Sequence, residues 1–252
     1  MTTSLVSISG AIVTWETFVP FTALHMVTVI ICAVLIAGIV YIGRKLRDTP
    51  AELSVRRILA AFAIVFWVAY NTWWNWDGID TYNGLPLQIC DISGLVAPLA
   101  LLTHGKWPRA TLYFWAFAFT IQGFIQPVVT AGPAFVVFWA FWTAHSVIMA
   151  CACYDLVVLN FRPNWTDFMR ACVVSVAYIC VVVPVNLALD SNYGYVGNPP
   201  AFRKIPPFVE ALGPWPERVA IMAALTALAF ALVLLPWLAI SRRQKPNLLE
   251  AQ

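Results

Sequence analysis

The stretch FVPFTALHMVTVIICAVLIAGIVYIG at residues 18–43 carries no formal charge and runs directly into RKLR at 44–47. At about 1.5 Å of rise per residue, some 20 such residues cross the roughly 30 Å hydrocarbon core of a bilayer. The segment therefore reads as a transmembrane helix that delivers a basic cluster to one membrane surface. Working outward, six further apolar runs lie at about 57–76, 85–103, 110–129, 134–159, 168–189 and 217–240. Pro86, Pro133 and Pro216 stand where the third, fifth and seventh of these begin. The expected fold is all-α: one polytopic domain of seven transmembrane helices over 1–252, with a long connection at 190–216 that reads as an ordered cap or as a lid over an outward-facing site.

Composition agrees with that pattern. Hydrophobic residues make up 61% of the 252 and charged residues only 11%, against roughly 45–50% and about 25% in soluble domains. Disorder is excluded by the same figures. The basic residues are spread among several connections, so no nucleic-acid surface is expected. Six cysteines (32, 90, 151, 153, 172 and 180) all fall in apolar stretches with neither zinc-ligand nor disulfide-framework spacing. No metal and no cofactor are expected, and the N-terminus lacks the basic region of a cleavable leader.

Direction follows from the cations. Twelve of the fifteen Lys and Arg lie in the first, third and fifth connections and the tail: Arg44, Lys45, Arg47, Arg56, Arg57, Lys106, Arg109, Arg162, Arg170, Arg242, Arg243 and Lys245. Arg203, Lys204 and Arg218 alone stand on the other side. Cytoplasmic loops carry the excess of Lys and Arg. The N-terminus is thus expected outside and the C-terminus in the cytoplasm.

Polar side chains at bilayer depth are costly and point to function. On this topology they gather toward the outer side: His25; Asn71 and Asn75, one helical turn apart; Cys90 and Asp91; Gln122 and Gln126, again one turn apart; and Asn186. His145 lies deeper, near the middle of the fifth span, and Asp155 near its inner end. The seventh span is almost uniformly apolar and reads as scaffold. One shared pocket opening outward is the economical reading; separate interhelical hydrogen bonds are the alternative. Trp73, Trp74 and Trp76 read as an interfacial belt.

Cys90 is the one cysteine among these polar groups. A thiol becomes a nucleophile when a neighbouring histidine takes its proton, which makes His145 the candidate base and His25 the reserve. On a helix that starts at 85, Cys90 sits beyond the first turn, where the macrodipole has faded. His145 also falls roughly 10 Å deeper than Cys90 at 1.5 Å per residue. Asp91 is expected to orient a histidine or to be hydrogen-bonded itself.

Several segments in order carry a family pattern: LPLQICDISG at 85–94, FAFTIQGFIQP at 117–127, FWTAHS at 141–146, VN at 185–186, NYGYVGNPP at 192–200 and LGPWP at 212–216. Together they resemble the YwaF-type integral membrane proteins, which are similar to eukaryotic transmembrane protein 164. The resemblance covers about 18–240. It implies a seven-helix fold and, for the eukaryotic branch, acyl transfer between phospholipids through a Cys/His pair. Carried over, Cys90 would be the acyl acceptor and His145 the base. Gln122, Asn186, Asn192 and Tyr193 match family positions to which no role attaches, and Gly194 stands where a bulkier residue would be expected after Asn-Tyr.

The favoured function is a thiol-dependent phospholipid acyltransferase or acyl hydrolase in the membrane, the cytoplasmic membrane of a bacterium for a bacterial-type member. Membrane phospholipids would be its substrate or annular partners. The alternative is a transporter or binding protein for a small polar solute, in which Asn71, Gln122 and Asp91 matter more than Cys90. A retinal-type photoprotein would need an intramembrane lysine, and all four lysines (45, 106, 204, 245) lie in connections or the tail.

Overall fold

The computed structural model describes residues 5–6, 12–13, 15–203 and 205–244. Lys204 and Lys245 lie outside the described residues, as do the side chains of Arg242 and Arg243. Leu5–Val6 (β1) and Ile12–Val13 (β2) pair antiparallel. The rest is helical: α1 Ala23–Lys45, α2 Pro50–Trp74, α3 Ile89–Thr103, α4 Lys106–Trp115, a π turn Ala116–Thr120, α5 Gln122–Ile125, α6 Val136–Val157, α7 Trp165–Leu189, a 3₁₀ turn Tyr193–Tyr195, α8 Pro207–Glu210 and α9 Glu217–Gln244.

Among the described residues, five helices are long and apolar enough to cross a membrane: α1, α2, α6, α7 and α9 over Glu217–Ile240. The third expected span is a short apolar helix, and the fourth is a helix in three pieces, α4, the π turn and α5. One end of the bundle, the basic end, gathers Arg44, Lys45, Arg56, Lys106, Arg109 and Arg170 from the end turns of α1, α2, α4 and α7, and Arg162 from the α6–α7 connection.

Element edges move from their expected places for local reasons. α1 starts at Ala23 rather than 18 because Thr22 caps it, accepting the His25 N–H at 3.5 Å. The chain before it is extended, with the Phe18 N–H donating to the Thr130 carbonyl. α2 begins seven residues early, with Pro50 in its first turn, where proline loses no helical hydrogen bond. α5 stops at Ile125 because Gln126 precedes Pro127 and is forced out of the helical region (φ −136°, ψ 74°). α7 is opened by a reciprocal cap: Asn164 Oδ1 accepts the N–H groups of Thr166 and Asp167, and Asp167 Oδ2 accepts that of Asn164.

α3 is the central element, packing on α2, α4 and α6, while α1 packs on α6 and α4 on α7. One apolar cluster joins Leu59, Ala97, Leu101, Leu112, Ile148 and Cys151 toward the basic end. A second joins Phe114, Phe168, Tyr178, Tyr193, Phe230 and Leu234, so that α9 is held on α4 and α7 chiefly by Phe230 and Leu234. Between Arg218 and Phe230, α9 has no buried residue. There it meets the second cluster only through partly buried side chains, Val219, Met222 and Ala229.

With fifteen residues, α3 rises about 22 Å, well short of the roughly 30 Å hydrocarbon core. Its C-terminal end reaches the basic end through the turn to α4, so its N-terminus begins inside the bundle. This removes the depth gap expected between Cys90 and His145. The segment 75–88 folds down to meet it instead of continuing as helix, and carries Pro86. Cys90 is therefore the second residue of α3, not a residue beyond its first turn.

Candidate functional site

The sunken start of α3 opens onto a cavity of about 880 Å³ lined by α2, α3, α5, α6, α7 and the N-terminal half of α9. Its walls are chiefly apolar and aromatic, among them Phe66, Tyr70, Phe119, Phe141, Val176, Ile179 and Met222. The size lies within the roughly 300–1,000 Å³ of small-molecule sites. Of the polar residues expected at bilayer depth, the cavity gathers Asn71, Cys90, Asp91, Gln122, Gln126 and His145.

Cys90 Sγ and His145 Nε2 stand 3.5 Å apart, although 55 residues separate them in the chain. The tautomer of His145 follows from its other nitrogen. Nδ1 lies 2.8 Å from the Phe141 carbonyl oxygen, which can only accept, so Nδ1 carries the proton. Nε2 is left with its lone pair directed at the thiol. The imidazole is also held by the Phe141 ring, centroids 4.2 Å apart, and by the backbone of Gly123. A Cβ at Gly123 would fall 2.3 Å from His145 Cδ2, so only glycine lets the ring sit there.

Gly123 reaches that place through the π turn, in which the Ile121 N–H donates to the Ala116 carbonyl, five residues back, at 2.9 Å. One extra residue in the turn rotates the downstream helix about its axis, a device found often at functional sites. Thr120, the fully buried last residue of the turn, neighbours the Cys90 sulfur.

The first turn of α3 has its own chemistry. The first N–H groups of a helix have no intrahelical partner, and the positive end of its dipole favours negative charge. Cys90 lies within that turn. Asp91 is not turned to a histidine: its Oδ2 accepts the Gln88 N–H at 3.2 Å, capping the helix. Its carbonyl accepts the Trp67 indole N–H at 2.8 Å. Trp67 and Asn71 on α2 and its C-cap Asn75 follow at four-residue spacing, so the spacing of the two asparagines in the sequence extends one turn back to Trp67.

The other expected residues are placed outside the cavity. His25 has both nitrogens engaged: Nδ1 accepts the Phe21 N–H at 3.0 Å and Nε2–H donates to the Phe124 carbonyl at 2.9 Å. Its tautomer is the opposite of that of His145, and it steadies α5 from behind. Asn75 donates to the carbonyls of Asn71 and Gly84, both at 2.9 Å. Asn186, fully buried, donates to the Tyr193 carbonyl and accepts the Tyr193 N–H and the Ser191 hydroxyl. Asn192 accepts the Gly197 N–H. The Tyr193 hydroxyl donates to the Thr81 carbonyl at 2.8 Å and accepts the Leu85 N–H at 3.0 Å.

These contacts make residues 191–197, the first part of the long connection, an ordered cap stitched to the segment before α3. Three further residues carry the stitching, none of them singled out by the sequence reading as a contributor to the site. Gln88 Oε1 accepts the Gly194 N–H at 3.0 Å. Tyr178 donates its hydroxyl to the Leu87 carbonyl at 2.8 Å. Gly194, at φ 62°, lies so close to Tyr178 that a Cβ would meet its hydroxyl at 2.3 Å. The bulkier residue expected after Tyr193 has no room here.

Asp155 belongs to a separate polar cluster at the basic end. Its carboxylate meets Arg109 at 2.8 Å, while Glu52 accepts the Tyr154 hydroxyl at 2.9 Å and pairs with Arg56 at 3.4 Å. The Arg56 guanidinium also meets His104. Among the described residues no group of three His, Cys, Asp or Glu side chains has the arrangement of a metal site. A family model described as the TMEM164 family matches residues 17–235. No curated protein and no solved structure matches the chain.

Proposed function

This chain belongs to the TMEM164 family, and from that premise we propose that it is a membrane-embedded lipid acyltransferase or acyl hydrolase working through Cys90 and His145. The observation that carries the reading is the 3.5 Å approach of a thiol and an unprotonated imidazole nitrogen on the wall of a large apolar cavity. In the proposed topology α1, α2, α3, the α4–α5 stretch, α6, α7 and α9 all cross the bilayer. The basic end faces the cytoplasm, and Cys90 lies toward the outer leaflet.

The chemistry follows from the groups present. His145 Nε2 takes the Cys90 proton, and the thiolate attacks the carbonyl carbon of a lipid ester entering the cavity. Negative charge builds on the carbonyl oxygen, for which the free N–H groups of Ile89 and Cys90 at the start of α3 are the proposed donors. As the tetrahedral intermediate collapses, the C–O bond breaks and the imidazolium returns its proton to the departing oxygen. A lysolipid leaves, and the acyl group stays on Cys90 as a thioester. In the second half His145 deprotonates an acceptor hydroxyl, of a lipid or of water, which attacks the thioester and restores the thiolate. The proton then passes back from His145 to sulfur.

Phe66, Phe119, Val176, Ile179 and Met222 give the cavity the surface an acyl chain needs, and the wall of α9 makes it more than scaffold. The amides of Asn71, Gln122 and Gln126 lie with them and suit an ester head better than a hydrocarbon tail.

The test is incubation of the purified protein in nanodiscs with phospholipid, followed by intact-mass measurement. An acyl adduct on Cys90 and its absence in Cys90→Ala are expected, with the variant still folded and monodisperse. Undiminished lipid turnover by Cys90→Ala would refute the assignment. Solute flux across reconstituted vesicles that survives the same substitution would instead favour transport through this cavity.

A further inference from the structure

A second pocket, of about 300 Å³, opens at the basic end between the α3–α4 turn and the α6–α7 connection. Lys106, Arg109, Arg162 and Arg170 stand in its wall, with His104 and a single acid, Asp167. Two of the four cations are neutralised: Arg109 by Asp155 at 2.8 Å and Arg170 by Asp167 at 2.6 Å. The other two are not. Arg162 donates to the carbonyls of Leu156 and Phe161 and to the side chain of Asn160, all uncharged, with its guanidinium 5.1 Å over the Trp237 ring. Lys106 pairs with no carboxylate among the described residues.

The helix that starts here is arranged against its own dipole. Negative groups belong at a helix N-terminus and positive ones at its C-terminus. α4 nevertheless opens with Lys106 and carries Arg109 one turn on, has no acid in its first turn, and its N-cap, Gly105, supplies no side-chain hydrogen bond. α7 opens into the same pocket and obeys the rule, capped by Asn164 and Asp167. One of two neighbouring N-termini is thus complete and the other lacks an anion, beside two unmatched positive charges. Trp107 and Trp165, in the first turns of α4 and α7 and each more than half exposed, adjoin pocket-lining residues in the chain. Exposed tryptophans at helix ends sit at the level of lipid headgroups.

We propose that this pocket binds the phosphate of an anionic lipid headgroup from the leaflet at the basic end. The phosphate oxygens accept from the free N–H groups of Lys106 and Trp107 and sit against the Lys106 ammonium, with Arg162 as a fixed second charge. The tryptophans hold the glycerol region. The site is independent of the Cys90 chemistry and lies at the other end of the bundle.

Lys106 is the side chain to change, because among the described residues it has no ion-pair partner whose loss would disturb the fold. The full-length protein is placed in nanodiscs of neutral phosphatidylcholine, or of the same lipid containing phosphatidic acid, and its thermal midpoint is measured. Phosphatidic acid is expected to raise the midpoint of the wild type. Lys106→Glu weakens the apparent affinity for phosphatidic acid roughly tenfold or more, with a midpoint in neutral discs that is not lowered, because glutamate there complements the α4 dipole, and Lys106→Arg restores the affinity. Equal stabilisation of Lys106→Glu and wild type by phosphatidic acid overturns the site. Equal stabilisation of the wild type in neutral discs by millimolar inorganic phosphate overturns the lipid assignment and leaves a soluble anion as the occupant. Thioester formation at Cys90 is read in parallel, so that loss of one result is separable from loss of the other.

Discussion

Replacing Gly123 with alanine tests the geometry of the Cys90–His145 pair without touching either residue. The added Cβ would lie 2.3 Å from His145 Cδ2 and 2.6 Å from Nε2, whereas ordinary contact begins at 3.4 Å. Relieving the overlap requires a movement of about 1 Å. The α5 backbone is pinned by His25 through the Phe124 carbonyl, so the imidazole is the part that gives way. Its Nδ1–H bond to Phe141 then lengthens or breaks, and Nε2 leaves the 3.5 Å line to the thiol. A misplacement of 1 Å in a reacting group costs on the order of 100-fold in rate, or about 2.7 kcal/mol in the barrier. Overpacking also lowers stability by about 1–3 kcal/mol. Gly43→Ala controls for that part, because its Cβ would lie 2.3 Å from the Tyr154 ring at the other end of the bundle. The assay is the rate of thioester formation by intact mass, per folded molecule isolated by size exclusion. Gly123→Ala should lose about 100-fold and Gly43→Ala should keep the wild-type rate. A Gly123→Ala protein that acylates at the wild-type rate would show that the imidazole position does not matter, and with it the role of His145 falls.

Asn186→Ala removes three buried hydrogen bonds at once and strands the Tyr193 N–H and the Ser191 hydroxyl; a loss of about 3 kcal/mol is expected in denaturant titration, and a loss below the error of that titration would contradict the ordered cap. Asp155→Ala leaves Arg109, largely buried in the wall of the basic-end pocket, without its partner and should cost about 3 kcal/mol. The double variant Arg109→Leu/Asp155→Leu should recover most of that, and equal losses in the two would argue against an uncompensated charge as the cause. Burial first, then the guanidinium groups of Arg56 and Arg109, hold the His104 imidazole below its ordinary range. The unfolded chain therefore binds a proton that the folded chain resists, so stability declines as pH drops below the ordinary histidine value of about 6.5. His104→Gln should flatten this acid limb in thermal melts, and superimposable limbs would exclude His104 as its source.

The long apolar runs were legible because a bilayer-spanning helix needs little beyond length and the absence of charge. Cys90, Asp91, Gln122 and His145 stood out for the same reason, as polar groups where polarity is costly. What the sequence could not carry was depth. Reading 85–103 as one helix placed Cys90 past its first turn, because LPLQ is apolar enough to continue a helix. Pro86 and the Asp91 cap start α3 at Ile89 instead, and shortening it sinks its N-terminus to the level of His145. Roles among the amides were likewise illegible from spacing. Asn71 and Asn186 look alike as polar residues in apolar helices, but one faces the cavity and the other closes the cap through three hydrogen bonds. Gln88 and Tyr178 went unnoticed because their partners are backbone groups of distant loops, which no periodicity reveals.

The π turn lets this chain hold one residue more between Trp115 and Gln122 than ordinary winding allows. An α-helix advances about 100° per residue, so winding the same residues as ordinary helix would swing Gln122 and Gly123 by about that angle around the axis. His145 would then meet a different side chain in place of bare backbone, and Phe124 would present its carbonyl away from His25. The wide turn is thus the slack that takes up one residue, and a further residue inserted here would have no such slack to enter.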